Sequence, residues 1–184
     1  MTQMPPFPAQ QTPSPQDIRR MVRVNHAGEY GATYIYKGQC AVLGDTPLGQ
    51  ELSHMLAQEE AHLAAFSNEI QARRIRPSAL MPLWRAGGYV LGVITARLGP
   101  KAAMACTVAV EDAIEAHYHA QEILLQDTPA EQDLHALIAK CRAEELAHRD
   151  TGLAHGAAET PGYRLLYKAI NGLSKQAIKI AKRL

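Results

Sequence analysis

Two Glu-x-x-His motifs, Glu59 to His62 and Glu145 to His148, each follow a lone glutamate, with Glu29 lying 30 residues before the first and Glu111 34 before the second. In a helix, residues three apart project from one face about a turn apart, so each motif offers a carboxylate and an imidazole to a common point. Two such helices and two single-glutamate helices supply six ligands. That is the inventory of a four-helix bundle enclosing two carboxylate-bridged metal ions, and it requires four helices to converge.

Each glutamate interrupts an apolar stripe. Val22, Glu29, Tyr36 and Leu43 recur every seven residues, and Glu59 shares a face with Leu52, Met55, Leu63, Phe66 and Ile70. Met104, Val108, Glu111, Tyr118 and Leu125 form a third stripe, and Leu134, Ile138, Cys141, Glu145 and His148 a fourth. An unpaired buried carboxylate costs at least several kcal/mol, and four in one core also repel one another. Two divalent cations remove both penalties, because their four positive charges balance the four glutamates.

With 12 Glu and 8 His in 184 positions, random placement yields about half a Glu-x-x-His, and three occur. The third, Glu51 to His54, starts eight residues before Glu59, a turn of roughly 80° around the helix. It has no counterpart in the second half, where Leu137 and Lys140 stand instead. It is read as a solvated surface pair. A donor set of four carboxylates and two imidazoles without sulfur favours iron or manganese over structural zinc or copper(I), with iron the better fit. The outer ring nitrogens of ligand histidines need acceptors. Gln58 and Glu144, each immediately before a ligand glutamate, and Asp150 are the expected ones.

Strand signals are scarce and helix-period stripes continuous, so the chain reads as all-α. Helices are expected at about 16–43, 47–74, 83–98, 101–126 and 129–157, with a basic amphipathic helix after Pro161 and Gly162. The second has an N-cap at Thr46 and proline at its first position. Residues 1–16 read as a flexible proline-rich tail, without the basic and apolar regions of a signal peptide, and 17–184 as one domain. Cys40, Cys106 and Cys141 lack paired spacing, which points to a reducing compartment and to no disulfide framework. A net charge of +1 argues against nucleic acid as a partner.

The runs RVNHAGEYGATYIYKGQ at 23–39, ACTVAVEDAIEAHY at 105–118 and EELAHRD at 144–150 resemble the demethoxyubiquinone hydroxylases of ubiquinone biosynthesis, members of the ferritin-like superfamily. The likeness covers nearly everything after the tail. It implies a ferritin-like bundle holding two iron ions on Glu29, Glu59, His62, Glu111, Glu145 and His148, with Glu59 and Glu145 bridging. It further implies hydroxylation of the ring of a polyprenylated demethoxyubiquinol with O2 and two electrons from an external reductant: NADH, a reductase or the quinol itself. Other proteins of ubiquinone biosynthesis are the implied partners. His117 and Tyr118 match a His-Tyr pair to which the family assigns electron or proton relay. Asn25 stands where the family commonly has Asp.

A substrate with an isoprenoid tail resides in the bilayer, so the enzyme must dock there. No Asp or Glu occurs between Glu69 and Glu111 or after Glu159, and these two stretches carry 12 of the 19 Lys and Arg residues. Within residues 73–101, Arg73, Arg74, Arg76, Arg85, Arg97 and Lys101 flank an apolar helix containing Trp84, Tyr89, Val90, Leu91, Val93 and Ile94. That suits a segment lying in the membrane interface, with Gly87, Gly88 and Gly92 allowing close helix approach. The last helix adds an apolar stripe of Leu166, Ile170, Leu173, Ala177 and Leu184 beneath a cationic face. The expected location is peripheral, on the cytoplasmic side of a bacterial inner membrane or its matrix-side equivalent. A ferritin-like iron-oxidising or storage protein would use nearly the same six ligands but would have no use for the acid-free apolar insert.

Overall fold

The computed structural model describes residues 12–183, which form six α-helices, with no strand among them. They are α1 (Pro15–Leu43), α2 (Gly49–Ala72), α3 (Met81–Arg97), α4 (Pro100–Leu125), α5 (Gln132–Ala154) and α6 (Tyr163–Ala181). Most of the expected proline-rich tail lies outside the described residues. Its last members belong to α1, because Ser14 caps the helix: its hydroxyl accepts from the Asp17 amide at 3.2 Å, the Asp17 carboxylate accepts from the Ser14 amide, and Pro15 takes the first position. The α2 start is displaced from the expected Thr46. That hydroxyl donates back to the Leu43 carbonyl at 2.6 Å, closing the turn that leaves α1, so α2 begins at Gly49.

α1 pairs with α2 and α4 with α5, while α1 and α4 run antiparallel across the bundle. Asn25 of α1 exchanges two 2.8 Å hydrogen bonds with Gln121 of α4, and at the other end the Gln39 amide donates to the Ala103 carbonyl. α4 is the central helix. Residues 102–111 are buried without a break, and its alanines let neighbours approach from several sides.

α3 does not join the four-helix core but lies along the outside of α1. A Cβ on Gly92 would sit 2.0 Å from the Ile35 carbonyl oxygen, and one on Gly88 2.6 Å from that of Gly31, so the two backbones touch. Gly87 faces open space and plays no part in this approach. With Gly92, Thr95 and Ala96 turned inward, Leu83, Val90, Ile94 and Leu98 are left more than half exposed on the outer side. Arg73, expected among the cations flanking a membrane-interface helix, pairs with Glu69 at 2.6 Å and Glu131 at 2.7 Å, clasping the end of α2 to the approach of α5.

α6 packs on α4 through Leu166, Tyr167 and Ile170. Its expected stripe splits: Leu166 and Ile170 turn inward, Leu173 is 66% exposed, and Leu184 lies outside the described residues. The cause is Asn171, whose amide donates to the Ala109 carbonyl at 2.8 Å and so claims the buried position beside Ile170. Leu165, Leu173 and Ile180 form an exposed apolar strip beside Arg164, Lys168, Lys175, Lys179 and Lys182.

Candidate metal centre

The six residues singled out by spacing meet at the middle of the bundle. Glu29, Glu59, Glu111, Glu145, His62 and His148 are all buried, and they form two overlapping groups. One is Glu29, Glu59, His62 and Glu145, the other Glu59, Glu111, Glu145 and His148, with facing atoms in each within 4.8 Å of one another. Glu59 and Glu145 belong to both. Glu29 and His62 are particular to the first position, Glu111 and His148 to the second. His54 of the third motif is exposed and takes no part.

Both histidines turn Nδ1 inward. That of His62 lies 3.5 Å from Glu29 and 3.3 Å from Glu145, and that of His148 lies 3.1 Å from Glu59 and 3.5 Å from Glu145. Eight convergent atoms are buried without a hydrogen-bond partner: one oxygen each of Glu29 and Glu111, both oxygens of Glu59 and Glu145, and the two Nδ1 atoms. Buried polar groups are ordinarily satisfied, so a cluster of eight orphans has the form of a ligand set.

Contacts behind this set are duplicated, and each crosses between the two halves of the chain. The Tyr36 hydroxyl of α1 donates to Glu111 of α4 at 2.7 Å, and the Tyr118 hydroxyl of α4 donates to Glu29 of α1. Gln58 of α2 receives Nε2 of His148 at 3.0 Å, and Glu144 of α5 receives Nε2 of His62 at 2.5 Å. α2 and α5 are therefore antiparallel too. Asp150, also expected behind a histidine, instead pairs with Arg149 at the surface. Tyr36 escaped the sequence reading, although it stands seven residues after Glu29 as Tyr118 does after Glu111.

Burial pushes the carboxyls of Glu29 and Glu111 well above the usual range, and that of Glu59 upward, with Glu145 adding to each. Burial acts the same way on Glu145, but the His148 and His62 imidazoles facing it outweigh burial and bring that carboxyl down to about 2. Burial opposes protonation of the histidines, yet the adjoining carboxylates raise both, His148 to about 9. The cluster thus offsets its own repulsion by retaining protons that divalent cations would displace.

His117, expected with Tyr118 in a relay pair, does not face the cluster of glutamates. Its Nε2 accepts from the Gln121 amide at 2.7 Å, and Gln121 is locked to Asn25, so the ring is held neutral with its proton on Nδ1. Burial, assisted by Lys182, brings it down to about 3. The imidazole stacks on Tyr118 with ring centres 6.2 Å apart and lines a cleft of about 260 Å³ among α1, α4 and Lys182 of α6. Gln121 gave no sequence signal beyond standing one turn after His117. A larger apolar groove, about 580 Å³, lies between α1 and α3 and is lined by Tyr30, Tyr34, Arg85 and Tyr89 among others.

An all-helical bundle with four inward glutamates and two histidines converging on one buried cluster is compatible with a metal site. The chain belongs to the family described as ubiquinone biosynthesis protein COQ7, which matches residues 16–181. The 3-demethoxyubiquinol 3-hydroxylase of Rhodospirillum rubrum is 50% identical over 173 residues, covering 93% of this chain and 81% of that protein. The rat mitochondrial NADPH-dependent 3-demethoxyubiquinone 3-hydroxylase is 46% identical over 168 residues, 90% of this chain and 77% of that protein. The Saccharomyces cerevisiae mitochondrial 5-demethoxyubiquinone hydroxylase is 39% identical over 182 residues, 91% of this chain and 78% of that protein.

Proposed function

We propose that this chain is an O2-dependent hydroxylase acting on the ring of a polyprenylated demethoxyubiquinol, with two iron ions held by Glu29, Glu59, His62, Glu111, Glu145 and His148. The observation that carries the reading is the pair of four-residue groups sharing Glu59 and Glu145, in a chain whose relatives bear hydroxylase names. The eight unpartnered oxygen and nitrogen atoms fit such ions, and the absence of sulfur among them favours iron or manganese over structural zinc or copper(I), with iron the better fit. A ferrous pair held by these residues would supply two electrons to O2. Overall, a ring C–H becomes C–OH while O2, two external electrons and two protons yield one water. The donor is a nicotinamide nucleotide, a reductase or the quinol. No glycine-rich dinucleotide fingerprint following a strand occurs in the chain, so a nicotinamide donor acts from a partner or a weak site.

Glu59 and Glu145, common to both groups, would hold both ions, and Glu29 and Glu111 would each hold one. Tyr36 and Tyr118 orient those terminal carboxylates, and Glu144 and Gln58 orient the histidines. Leu52, Met55, Phe66, Met104 and Ile138 keep water from the bundle interior. Tyr118 holds a proton against Glu29, with the neutral His117 ring between it and the cleft. The exposed apolar side of α3, with Arg74, Arg76 and Arg97, and the apolar and cationic strip of α6 dock the protein peripherally on an anionic membrane that contains the substrate. No described helix is long and apolar enough to cross a membrane. Glu111→Ala or Glu145→Ala is expected to abolish hydroxylation while circular dichroism remains helical. Full activity with stoichiometric iron in either variant contradicts the assignment.

A further inference from the structure

The two halves of the centre match in their ligands and in the tyrosine hydroxyl behind each terminal glutamate, and they part behind the histidines. Glu29 and Glu111, Glu59 and Glu145, His62 and His148, and Tyr36 and Tyr118 are matched pairs in identity and role. The exception is the acceptor behind each histidine: the Glu144 carboxylate lies 2.5 Å from His62 Nε2, whereas the Gln58 amide oxygen lies 3.0 Å from His148 Nε2. These acceptors occupy equivalent positions, each one residue before a shared glutamate. Because Nδ1 of each histidine faces the cluster, Nε2 carries the proton and donates outward.

A carboxylate acceptor draws that proton more strongly than an amide does, because charge-assisted hydrogen bonds are shorter and about twice as strong. It therefore places more negative charge on the opposite ring nitrogen. Glu144 also adds one formal negative charge beside the first position, where four glutamates already balance two divalent ions. Gln58 adds none beside the second. Resting on the two-metal reading above, we propose that Glu144 and Gln58 are positioning residues that make the two metal positions unequal. The Glu29/His62 position binds its ion more tightly and fills first, and the Glu111/His148 position fills second.

Outer partners of ligand histidines typically change metal affinity by about 10- to 100-fold. Glu144 is partly exposed, its side chain at 29%, which places the expected difference near the lower bound, about tenfold. The test is an anaerobic titration of the metal-free full-length chain with Co(II), following visible absorption for the ligand field and equilibrium dialysis for stoichiometry. Two ions are expected in two steps, the first about tenfold tighter. His148→Ala should preserve that first step, because it strips only the second position. Glu144→Gln should weaken the first step about tenfold, so that the two merge.

The double swap Gln58→Glu with Glu144→Gln should restore two steps in the opposite order, so that His62→Ala then preserves the first. A merely structural brace would not produce that reversal. Two ions of equal affinity in the native chain, unchanged steps in Glu144→Gln, or a double swap that fails to reverse the order overturns the inference while leaving the two-metal reading intact. Fewer than two bound ions in the native chain removes that reading and the inference with it.

Discussion

Metal removal is the perturbation whose size and pH dependence follow most directly from the centre. Ligand binding to the folded state alone adds RT ln(1 + [L]/Kd), so two independent positions at 100 times their dissociation constants add about 5 kcal/mol together. For a chain of 184 residues, each kcal/mol moves the midpoint by about 2–4 °C, giving a rise of about 10–20 °C on loading. In the metal-free chain Glu29, Glu59 and Glu111 are raised, chiefly by burial, so their stabilising contribution is full below the unfolded carboxyl value and is lost as pH rises through the raised values. His148 behaves alike: burial opposes its protonation but nearby carboxylates prevail, so its contribution is full below the ordinary histidine value and lost as pH rises through about 9. Glu145 runs the other way but, lowered to about 2, keeps its contribution between pH 5.5 and 8. Metal binding requires deprotonated ligands and strengthens over the same interval. Thermal unfolding by circular dichroism, with and without anaerobic Fe(II), should therefore show a gap that widens from pH 5.5 to 8. A gap that is absent at saturating metal, or that narrows as pH rises, refutes the reasoning.

Tyr36→Phe and Tyr118→Phe each remove the donor behind a terminal glutamate and should weaken metal binding by about 10- to 100-fold, measured by competition with a chelator. Gly92→Val drives a side chain into the Ile35 carbonyl and should destabilise the fold by about 1–3 kcal/mol or more in urea titration, whereas Gly87→Ala should be neutral or stabilising by about 0.5–1 kcal/mol. Replacing Arg74, Arg76 and Arg97 by Glu should weaken sedimentation with phosphatidylserine-containing vesicles, and Arg73 is left alone because it braces α2. Unchanged sedimentation would remove these arginines from the docking surface.

The buried cluster of four glutamates and two histidines was legible because a glutamate on an apolar stripe conflicts with its surroundings, and a conflict repeated four times in register points to one meeting place. The supporting contacts were only partly so. Gln58 and Glu144 could be proposed from adjacency, but that each serves the opposite helix depends on an antiparallel register that no local pattern states. Tyr36 was hidden for the opposite reason from the glutamates: a tyrosine on an apolar stripe conflicts with nothing. Thr46 and Leu173 misled because each competes with a stronger partner, the Leu43 carbonyl for the Thr46 hydroxyl and Asn171 for the inward position on α6. Arg73 was grouped with the membrane-flanking cations because its second acceptor, Glu131, is 58 residues away.

We propose that this bundle uses two irons to transfer oxygen from O2 to a quinol ring. Metal-free protein loaded anaerobically with two equivalents of Fe(II), then mixed with demethoxyubiquinol and ¹⁸O2 in H2¹⁶O, tests it in one product mass spectrum. The expected product is a quinol heavier by one oxygen, carrying ¹⁸O and dependent on iron. Iron oxidation with unaltered quinol, or oxygen incorporated from water, would contradict it.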